Sequence, residues 1–243
     1  MKQQNKTLNV YGKNPLRELL KSDRHIYRIY TYSPLDEEFK SLIIAKHLEV
    51  KQLPKVEFIK MFGDKTGGIV TVVDEYQYYD FHTLLDDVKN NDEAILLMLA
   101  NIEDPHNLGA ILRSADATAI DGIIIPKDRS VGLNETVAKV STGAIEHVKV
   151  AQVVNLNQTI ESLKKAGFWV IGLELSGQVD YKDAPYDGKI ALVVGSEGKG
   201  IPRMVLQNCD LVVKIPMYGK VNSLNASVST GIFLYEAIRH KGK

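Results

Sequence analysis

Uninterrupted apolar runs alternate with amphipathic stretches through the second half of the chain. The run Ala94–Ala100 holds no polar residue, which is typical of a strand in a sheet covered on both faces. Other strands are predicted at 122–126, 147–151, 168–173, 190–195 and 211–215, and helices at 107–118, 135–142, 157–166 and from about 225 onward. This alternation predicts a largely parallel sheet with helices on both faces.

The first 75 residues have a different pattern, which predicts a small α/β unit. Its predicted strands are 26–31, 56–59 and 67–73, and its predicted helices are 16–21 and 37–47. The stretch that follows is charged and aromatic, so we predict domains at 1–75 and 93–243 with a linker at 76–92.

Lysines and arginines are frequent in this first unit. Such side chains form either a solvated surface or a platform that contacts phosphates. They are Arg17, Lys21, Arg24, Arg28, Lys40, Lys46, Lys51, Lys55, Lys60 and Lys65.

Charge is balanced over the 243 residues, with 30 basic and 30 acidic side chains. The balance argues against a protein held to nucleic acid by bulk charge and leaves a local basic face open. A single cysteine, Cys209, excludes internal disulfides and cysteine-based zinc sites. The longest apolar run is too short to cross a bilayer, so we expect no membrane segment and a cytoplasmic protein.

Polar side chains follow the predicted strand 94–100 and lead into a helix. Asn101, Asp104 and Asn107 are natural loop and cap residues, and Gly109 permits close approach of another backbone. Arg113 lies about a turn and a half into the helix. It either points back over the end of the strand or forms a surface ion pair.

A glycine-rich loop follows the predicted strand 190–195. Gly195, Gly198 and Gly200 read G-x-x-G-x-G, which matches neither the dinucleotide-binding fingerprint nor the P-loop. The acidic Glu197 inside the loop disfavours a phosphate. It suits a ligand with amines or hydroxyls, or a partner such as Arg113.

The last predicted strand, 211–215, is followed by a polar loop and a helix. Pro216 ends the strand, and Ser223 or Asn225 is expected to cap the helix. The apolar positions of that helix fall at Val228, Ile232, Tyr235 and Ile238. A strand, a loop and a helix N-terminus in this order are typical of ligand sites in α/β proteins.

Taken in order, the three stretches resemble the signature motifs of the SpoU class of RNA 2′-O-ribose methyltransferases in the SPOUT superfamily. The matches are N-x-x-D-P-x-N-x-G-x-x-x-R at 101–113, G-x-E-x-x-G at 195–200 and I-P-M-x-G-x-x-x-S-L-N-x-S at 215–227. The first unit is similar to the ribosomal-protein-like substrate domain of many members. Thr66-Gly67-Gly68 stands where those members show a His-Gln-Gly-like triplet.

The resemblance implies a SPOUT-type parallel sheet whose C-terminal segment forms a trefoil knot, one of the rare exceptions to unknotted chains. It implies that S-adenosylmethionine binds at the knot against Gly195, Ile215, Met217 and Leu224. It also implies an RNA substrate and a homodimer with the active site near the interface. The sequence itself shows no metal-ligand cluster, so we expect no metal.

The implied reaction moves a methyl group from a sulfonium to a ribose 2′-hydroxyl. The resemblance gives Arg113 the activating role. Because a guanidinium stays protonated, we expect it to stabilise the developing alkoxide. Asn101, Glu197, Ser223 and Asn225 are expected to orient Arg113, the ribose and the loops.

Ribosomal RNA, in particular 23S rRNA, is the preferred substrate because the first unit resembles a ribosomal-protein fold, and transfer RNA is the alternative. Two other functions stay open. One is a non-catalytic RNA-binding or ribosome assembly factor of the same fold. The other is a nucleotide-binding α/β enzyme, which the absence of the glycine fingerprint disfavours.

Overall fold

This computed structural model describes residues 6–241, which divide into two compact units. The first unit reaches to Gln77 and also contains Leu133–His147, and the second unit covers Tyr78–Gly132 and continues from Val148. The predicted domain division placed 133–147 with the second domain, whereas this segment packs within the first unit.

The elements alternate along most of the described chain, as predicted. In order they are β1 (Thr7–Tyr11), α1 (Lys13–Lys21), β2 (Ile26–Thr31), α2 (Glu37–Ala45), β3 (Val50–Gln52), α3 (Lys55–Phe62), β4 (Ile69–Asp74), α4 (Phe81–Val88), β5 (Ala94–Ala100), α5 (Pro105–Ala117), β6 (Gly122–Pro126), α6 (Glu135–Ser141), β7 (Val150–Val153), α7 (Leu156–Lys165), β8 (Trp169–Leu173), β9 (Val179–Asp180), β10 (Lys189–Gly195), α8 (Arg203–Gln207), β11 (Leu211–Lys214) and α9 (Ala226–His240). Short 3₁₀ turns lie at Ala144–Glu146 and Tyr181–Asp183.

The sheet of the first unit has the strand order β1-β4-β2-β3. β4 is antiparallel to β1 and β2, and β3 is parallel to β2. Helix α1 buries Leu16, Leu19 and Leu20, and α2 buries Phe39 and Ile43. These apolar side chains recur at helical spacing, so each helix keeps one face out of water.

The predicted strand at 56–59 is wrong, because these residues lie in helix α3. Pro54 occupies the N-cap position, and Phe58 is fully buried. Phe58 packs against Phe62 and Tyr32, with ring centroids 5.2 and 5.1 Å apart. Packing of the buried Phe58 and the half-buried Phe62, spaced four residues apart, outweighs the strand preference of Val56 and Ile59.

Segment 133–147 is held in the first unit by buried polar contacts. The amide of Asn9 and the hydroxyl of Tyr11 each donate to the Glu135 carboxylate at 3.1 Å. Arg24 pairs with Glu146 at 3.0 Å, and their side chains are only 11% and 4% exposed. Loss of either partner would leave the other charge buried and unpaired, which is strongly destabilising, so the pair fixes where the segment packs.

Tyr76 completes this buried pair. Its hydroxyl donates to Glu146 at 2.7 Å, and the Arg24 guanidinium lies 3.5 Å from the centre of the Tyr76 ring. Burial, followed by the nearby Glu146 charge, raises the pKa of Tyr76 far above its ordinary value. Tyr76 therefore stays a neutral donor.

The second unit contains a seven-stranded sheet in the order β7-β6-β5-β10-β8-β11-β9. Each neighbouring pair of these strands is parallel, which confirms the predicted sheet. Every residue of β5 is buried. Ala100 pairs with Gly195, and Val194 pairs with Leu173, so the carboxyl ends of β5, β10 and β8 lie side by side.

The predicted linker at 76–92 contains a well-packed helix, α4. The Asp80 side chain caps it by accepting from the Thr83 amide at 2.8 Å, and Leu84 and Val88 are buried in the core of the second unit. The strand predicted at 147–151 begins three residues later, and β9 and α8 were not predicted. No helix of the described residues is long and apolar enough to span a bilayer.

Candidate functional site

Strand β5 leaves the sheet through a strained turn and enters α5. Asn101 adopts a left-handed conformation with φ of 60°, which asparagine tolerates better than most residues. Asp104 then caps α5 by accepting from the His106 amide at 2.8 Å, and Pro105 occupies the first turn. This turn brings the N-terminus of α5 to the carboxyl edge of the sheet.

The glycine-rich loop after β10 folds tightly back on itself. Ser196 and Gly200 form an antiparallel bridge, with the Gly200 amide donating to the Ser196 carbonyl at 2.8 Å. A Cβ atom on Gly195 would lie 2.1 Å from the Gly200 carbonyl carbon. The glycines at these positions therefore allow two parts of the loop backbone to pass close to each other. This packing requirement explains why their spacing departs from both phosphate-binding patterns.

Glu197 lies at the tip of this loop and joins it to two helix N-termini. Its Oε1 atom accepts from the Asn225 side chain at 2.5 Å, the Ala226 amide at 2.8 Å and the Asn107 side chain at 3.2 Å. A carboxylate is favoured at this place because the first turn of α9 presents unsatisfied amides.

Asn225, rather than Ser223, is the N-cap of α9. Its Oδ1 atom accepts from the amides of Ser227 at 3.0 Å and Val228 at 3.4 Å. Its Nδ2 atom donates to the Asn107 Oδ1 atom at 2.9 Å. One side chain therefore caps the helix and closes the polar network with Glu197 and Asn107.

Asn107 is a member of this network that the sequence prediction left out of the site. Its place in the first motif, six residues before Arg113, was the available signal. The suggested pairing of Glu197 with Arg113 is wrong, since Glu197 bonds to Asn107, Asn225 and the α9 backbone. The donors of Asn107, Asn225 and Ala226 lie within hydrogen-bond distance of the Glu197 carboxylate, whereas the Arg113 guanidinium does not.

Beside the network is a cavity of about 600 Å³. All four residues predicted to hold the cofactor line it, namely Gly195, Ile215, Met217 and Leu224. Glu197 and Ser223 line it as well. The volume lies within the range of small-molecule sites.

The cavity walls have mixed chemistry. Leu173, Ile215 and Leu224 present apolar surface, whereas Ser176 and Ser196 offer hydroxyls. Glu174 also lines it, and its carboxylate accepts from the amides of Ile201 at 3.0 Å and Leu175 at 3.2 Å. Such walls suit an amphipathic ligand with a planar ring, a sugar and a charged tail, so the residues fit S-adenosylmethionine.

Arg113 is exposed on α5, and among residues 6–241 it has no hydrogen-bond or ion-pair partner. The surface ion pair considered for this residue is therefore wrong. Among the described residues, those lining the cavity do not include Arg113, Asn101 or Asn225. Asn225 is connected to the cavity wall by its hydrogen bond to Glu197. The guanidinium of Arg113 is available to bind another molecule.

Residues 6–241 offer neither a metal-binding cluster nor a reactive thiol. No group of three or more His, Cys, Asp or Glu side chains arranged to hold a metal ion occurs within residues 6–241. Burial raises the pKa of the Cys209 thiol to about 12, and the thiol donates to the Val205 carbonyl at 3.4 Å. A thiol of this kind is a poor nucleophile.

Known proteins resemble this chain over nearly its whole length. Residues 94–235 match the SpoU rRNA Methylase family, and residues 9–79 match a domain described as RNA 2′-O ribose methyltransferase substrate binding. YacO of Bacillus subtilis, which its name assigns to TrmH family tRNA/rRNA methyltransferases, is 42% identical over 237 residues, or 96% of this chain and 95% of that protein.

Solved structures share the fold. An AdoMet-bound rRNA methyltransferase from Sinorhizobium meliloti superimposes with a TM-score of 0.81 at 24% identity, covering 96% of this chain and 87% of that one. The SpoU methyltransferase AviRb from Streptomyces viridochromogenes, in complex with AdoMet, gives a TM-score of 0.83 at 22% identity, covering 98% and 91%.

With both domain matches and a relative above 40% identity, the chain belongs to the SpoU family of RNA methyltransferases. This membership confirms the predicted class of enzyme. S-adenosylmethionine, the predicted cofactor, is the AdoMet bound in both of these solved structures.

Proposed function

We propose that this protein methylates a ribose 2′-hydroxyl of RNA, with 23S ribosomal RNA preferred and transfer RNA the alternative. One observation carries the proposal. The three loops that hold the predicted motifs meet at one edge of the sheet, where Glu197 links Asn107 and Asn225 beside a cavity of about 600 Å³. Ligands of open parallel sheets bind at this edge.

The cofactor would be held by Gly195, Ile215, Met217 and Leu224, which share one cavity. When bound, S-adenosylmethionine supplies an electrophilic methyl group. The remaining task of the protein is to align the hydroxyl and to favour loss of its proton.

We assign that task to Arg113, with the polar network in a positioning role. A free guanidinium can stabilise a developing alkoxide or hold a neighbouring phosphate as proton acceptor. Ser223 lines the cavity and can donate to the ribose, while Glu197 and Asn225 hold the loop that carries Ser223. Asn101 supports the site indirectly, because its left-handed turn sets the direction of α5.

A homodimer is part of the proposal. Helix α9 packs against α5, and a Cβ atom on Gly231 would lie 3.6 Å from the Ser114 hydroxyl. The side of α9 that carries Val228 and Tyr235 leaves these side chains 49% and 55% exposed. A second copy covering this face would lie close to Arg113 on α5, in keeping with an active site near the interface.

The knot and the role of the first unit complete the proposal. Strand β11 lies between β8 and β9, although β10 precedes it in the chain and lies on the far side of β8. Such an order is compatible with a C-terminal segment threaded as a trefoil knot. We assign RNA binding to the ribosomal-protein-like first unit and place the enzyme in the cytoplasm, where its RNA substrate is available.

The test is methylation of RNA by the purified protein with isotopically labelled S-adenosylmethionine. After nuclease digestion, mass spectrometry should find the label in 2′-O-methylated nucleosides, and separate ribosomal and transfer RNA fractions should identify the substrate. Binding of RNA without any label transfer would favour the non-catalytic factor. Label found on bases alone would overturn the assigned position.

A matched pair of glycine variants tests the cofactor site. Gly195→Ala places a methyl group against the Gly200 backbone and should abolish S-adenosylmethionine binding in calorimetry, whereas Gly219→Ala enters open space and should not. Binding by the parent should be unchanged by a chelator. Equal affinities of the two variants would contradict the assignment of Gly195.

A further inference from the structure

The basic side chains between Lys13 and Lys65 fall into two groups along the chain. Every lysine and arginine from Lys13 to Lys46 has a hydrogen-bond partner in the structure. Lys13 pairs with Asp36, Arg17 with Glu38, Lys21 with Glu18, Arg24 with Glu146, Arg28 with Glu49 and Lys40 with Glu37, and Lys46 donates to the Ser22 carbonyl. These charges are largely compensated within the unit.

The second group runs from residue 51 to residue 65. Among residues 6–241, no carboxylate pairs with Lys51, Lys55, Lys60 or Lys65. All four lysines are exposed. The amine of Lys55 lies 5.6 Å from the centre of the Tyr32 ring. Because the only acids of this segment are Glu57 and Asp64, it keeps a net positive charge.

Exposed apolar side chains accompany these cations. Val56 is 82% exposed, Met61 54% and Ile59 36%, and all three lie on helix α3. The helix itself is anchored, because Phe58 is fully buried and packs against Phe62 and Tyr32. A rigid helix that presents both uncompensated charge and apolar surface has the composition of a binding surface.

From these contacts we infer that segment 51–65, which we name the lysine surface, is the part of the first unit that binds RNA, with its lysines on phosphates and its apolar side chains against unstacked bases. The inference rests on the proposed RNA substrate and adds where the RNA lies. Free lysines bind phosphates through release of counterions, and single-stranded RNA offers both a charged backbone and base faces. The paired cations on α1 and α2 contribute little, because their partner carboxylates compensate their charge and repel phosphates.

The decisive measurement is the salt dependence of RNA binding by the full-length protein. The variant replaces Lys51, Lys55, Lys60 and Lys65 by glutamine. The control replaces Lys13, Arg17, Lys21 and Lys40 by glutamine, which removes the same total charge from side chains that pair with carboxylates. The probe is a short fluorescein-labelled single-stranded RNA of mixed sequence, followed by fluorescence anisotropy.

The expected result is a flatter salt dependence for the variant alone. Four lost phosphate contacts should reduce the slope of log affinity against log salt by about 3, so that between 50 and 200 mM salt the parent loses roughly 50- to 65-fold more affinity than the variant. The control should keep the slope of the parent. Circular dichroism and S-adenosylmethionine binding should be the same for all three proteins.

A second variant tests the apolar part of the lysine surface. Val56→Ser combined with Met61→Ser should weaken RNA binding without changing the salt slope, because apolar contacts release few ions. Equal salt slopes for the lysine-surface variant and its control would overturn the inference while leaving the proposed methyltransferase function intact. If the lysine-surface variant shows the flatter salt dependence but the parent protein transfers no methyl group to RNA, the proposed function is refuted instead.

Discussion

Replacing Glu197 by alanine should destabilise the second unit and loosen its three loops. The substitution removes one oxygen that accepts from Asn225 Nδ2 at 2.5 Å, the Ala226 amide at 2.8 Å and Asn107 Nδ2 at 3.2 Å. Hydrogen bonds to charged groups contribute about 1.5–3 kcal/mol each when shielded, and less at an exposed position. Since Glu197 is exposed, we expect a total loss of about 2–3 kcal/mol, including about 0.3–1 kcal/mol from the helix N-terminus.

Glu197→Gln provides an internal calibration. The amide keeps a neutral oxygen for the Ala226 amide and loses the charge. Because charge-assisted hydrogen bonds are roughly twice as strong as neutral ones, about half of the alanine effect should remain. Glu103→Ala is the matched control, since Glu103 pairs with Lys199 of the same loop at 3.1 Å and both side chains are more than half exposed. An exposed pair of this kind contributes at most about 1 kcal/mol.

Urea unfolding followed by fluorescence measures these differences. Trp169, the single tryptophan, lies in β8 and reports on the second unit. The expected order of destabilisation is Glu197→Ala, then Glu197→Gln, then Glu103→Ala. Amide hydrogen exchange at Ala226 should accelerate in the alanine variant. If Glu197→Ala unfolds at the same urea concentration as Glu103→Ala, the network does not join the loops as we infer.

Three further predictions concern other parts of the second unit. Arg113→Ala should slow single-turnover methylation roughly 100- to 1000-fold with unchanged cofactor affinity. Arg113→Lys should restore little of the rate, because an ammonium lacks the planar fork of the guanidinium. If the alanine variant methylates within threefold of the parent rate, Arg113 is not the catalytic group. Tyr235→Asp should give a monomer in sedimentation without unfolding, whereas a dimer that persists would place the interface elsewhere. Native Cys209, with its pKa raised to about 12 by burial, should react with iodoacetamide at pH 8.5 roughly 100-fold more slowly than in urea. Equal rates would mean that the thiol is not shielded.

The second unit could be predicted closely from the sequence because its signals are local and strong. An apolar run such as Ala94–Ala100 leaves few alternatives to a buried strand, and caps such as Asp104 and Asn225 mark helix starts. The second and third motifs contain residues that line the cavity, and the first motif supplies Asn107 of the adjoining network, since each motif follows a strand and parallel strands end at a common edge.

Tertiary packing decides the features that local pattern did not predict. The preference of Val56 and Ile59 for strands is overridden by Phe58 and Phe62, whose burial depends on a distant sheet. The bonds of Glu197 to Asn107 and Asn225 span 90 and 28 residues, so no spacing rule could select them over Arg113. On α9, the regularly spaced Val228 and Tyr235 are exposed, whereas Thr230 and Glu236 are buried.

The placement of segment 133–147 bears on how the protein folds during synthesis. Glu135 and Glu146, which accept from Asn9, Tyr11, Arg24 and Tyr76, are translated long after those partners. The first unit therefore stays incomplete on the ribosome until residue 147 has emerged, by which time β5 and β6 of the second unit are also available. Cutting the gene at the apparent boundary near residue 77 would release a fragment with the Arg24 charge uncompensated, so we expect that fragment to be less stable than the complete first unit.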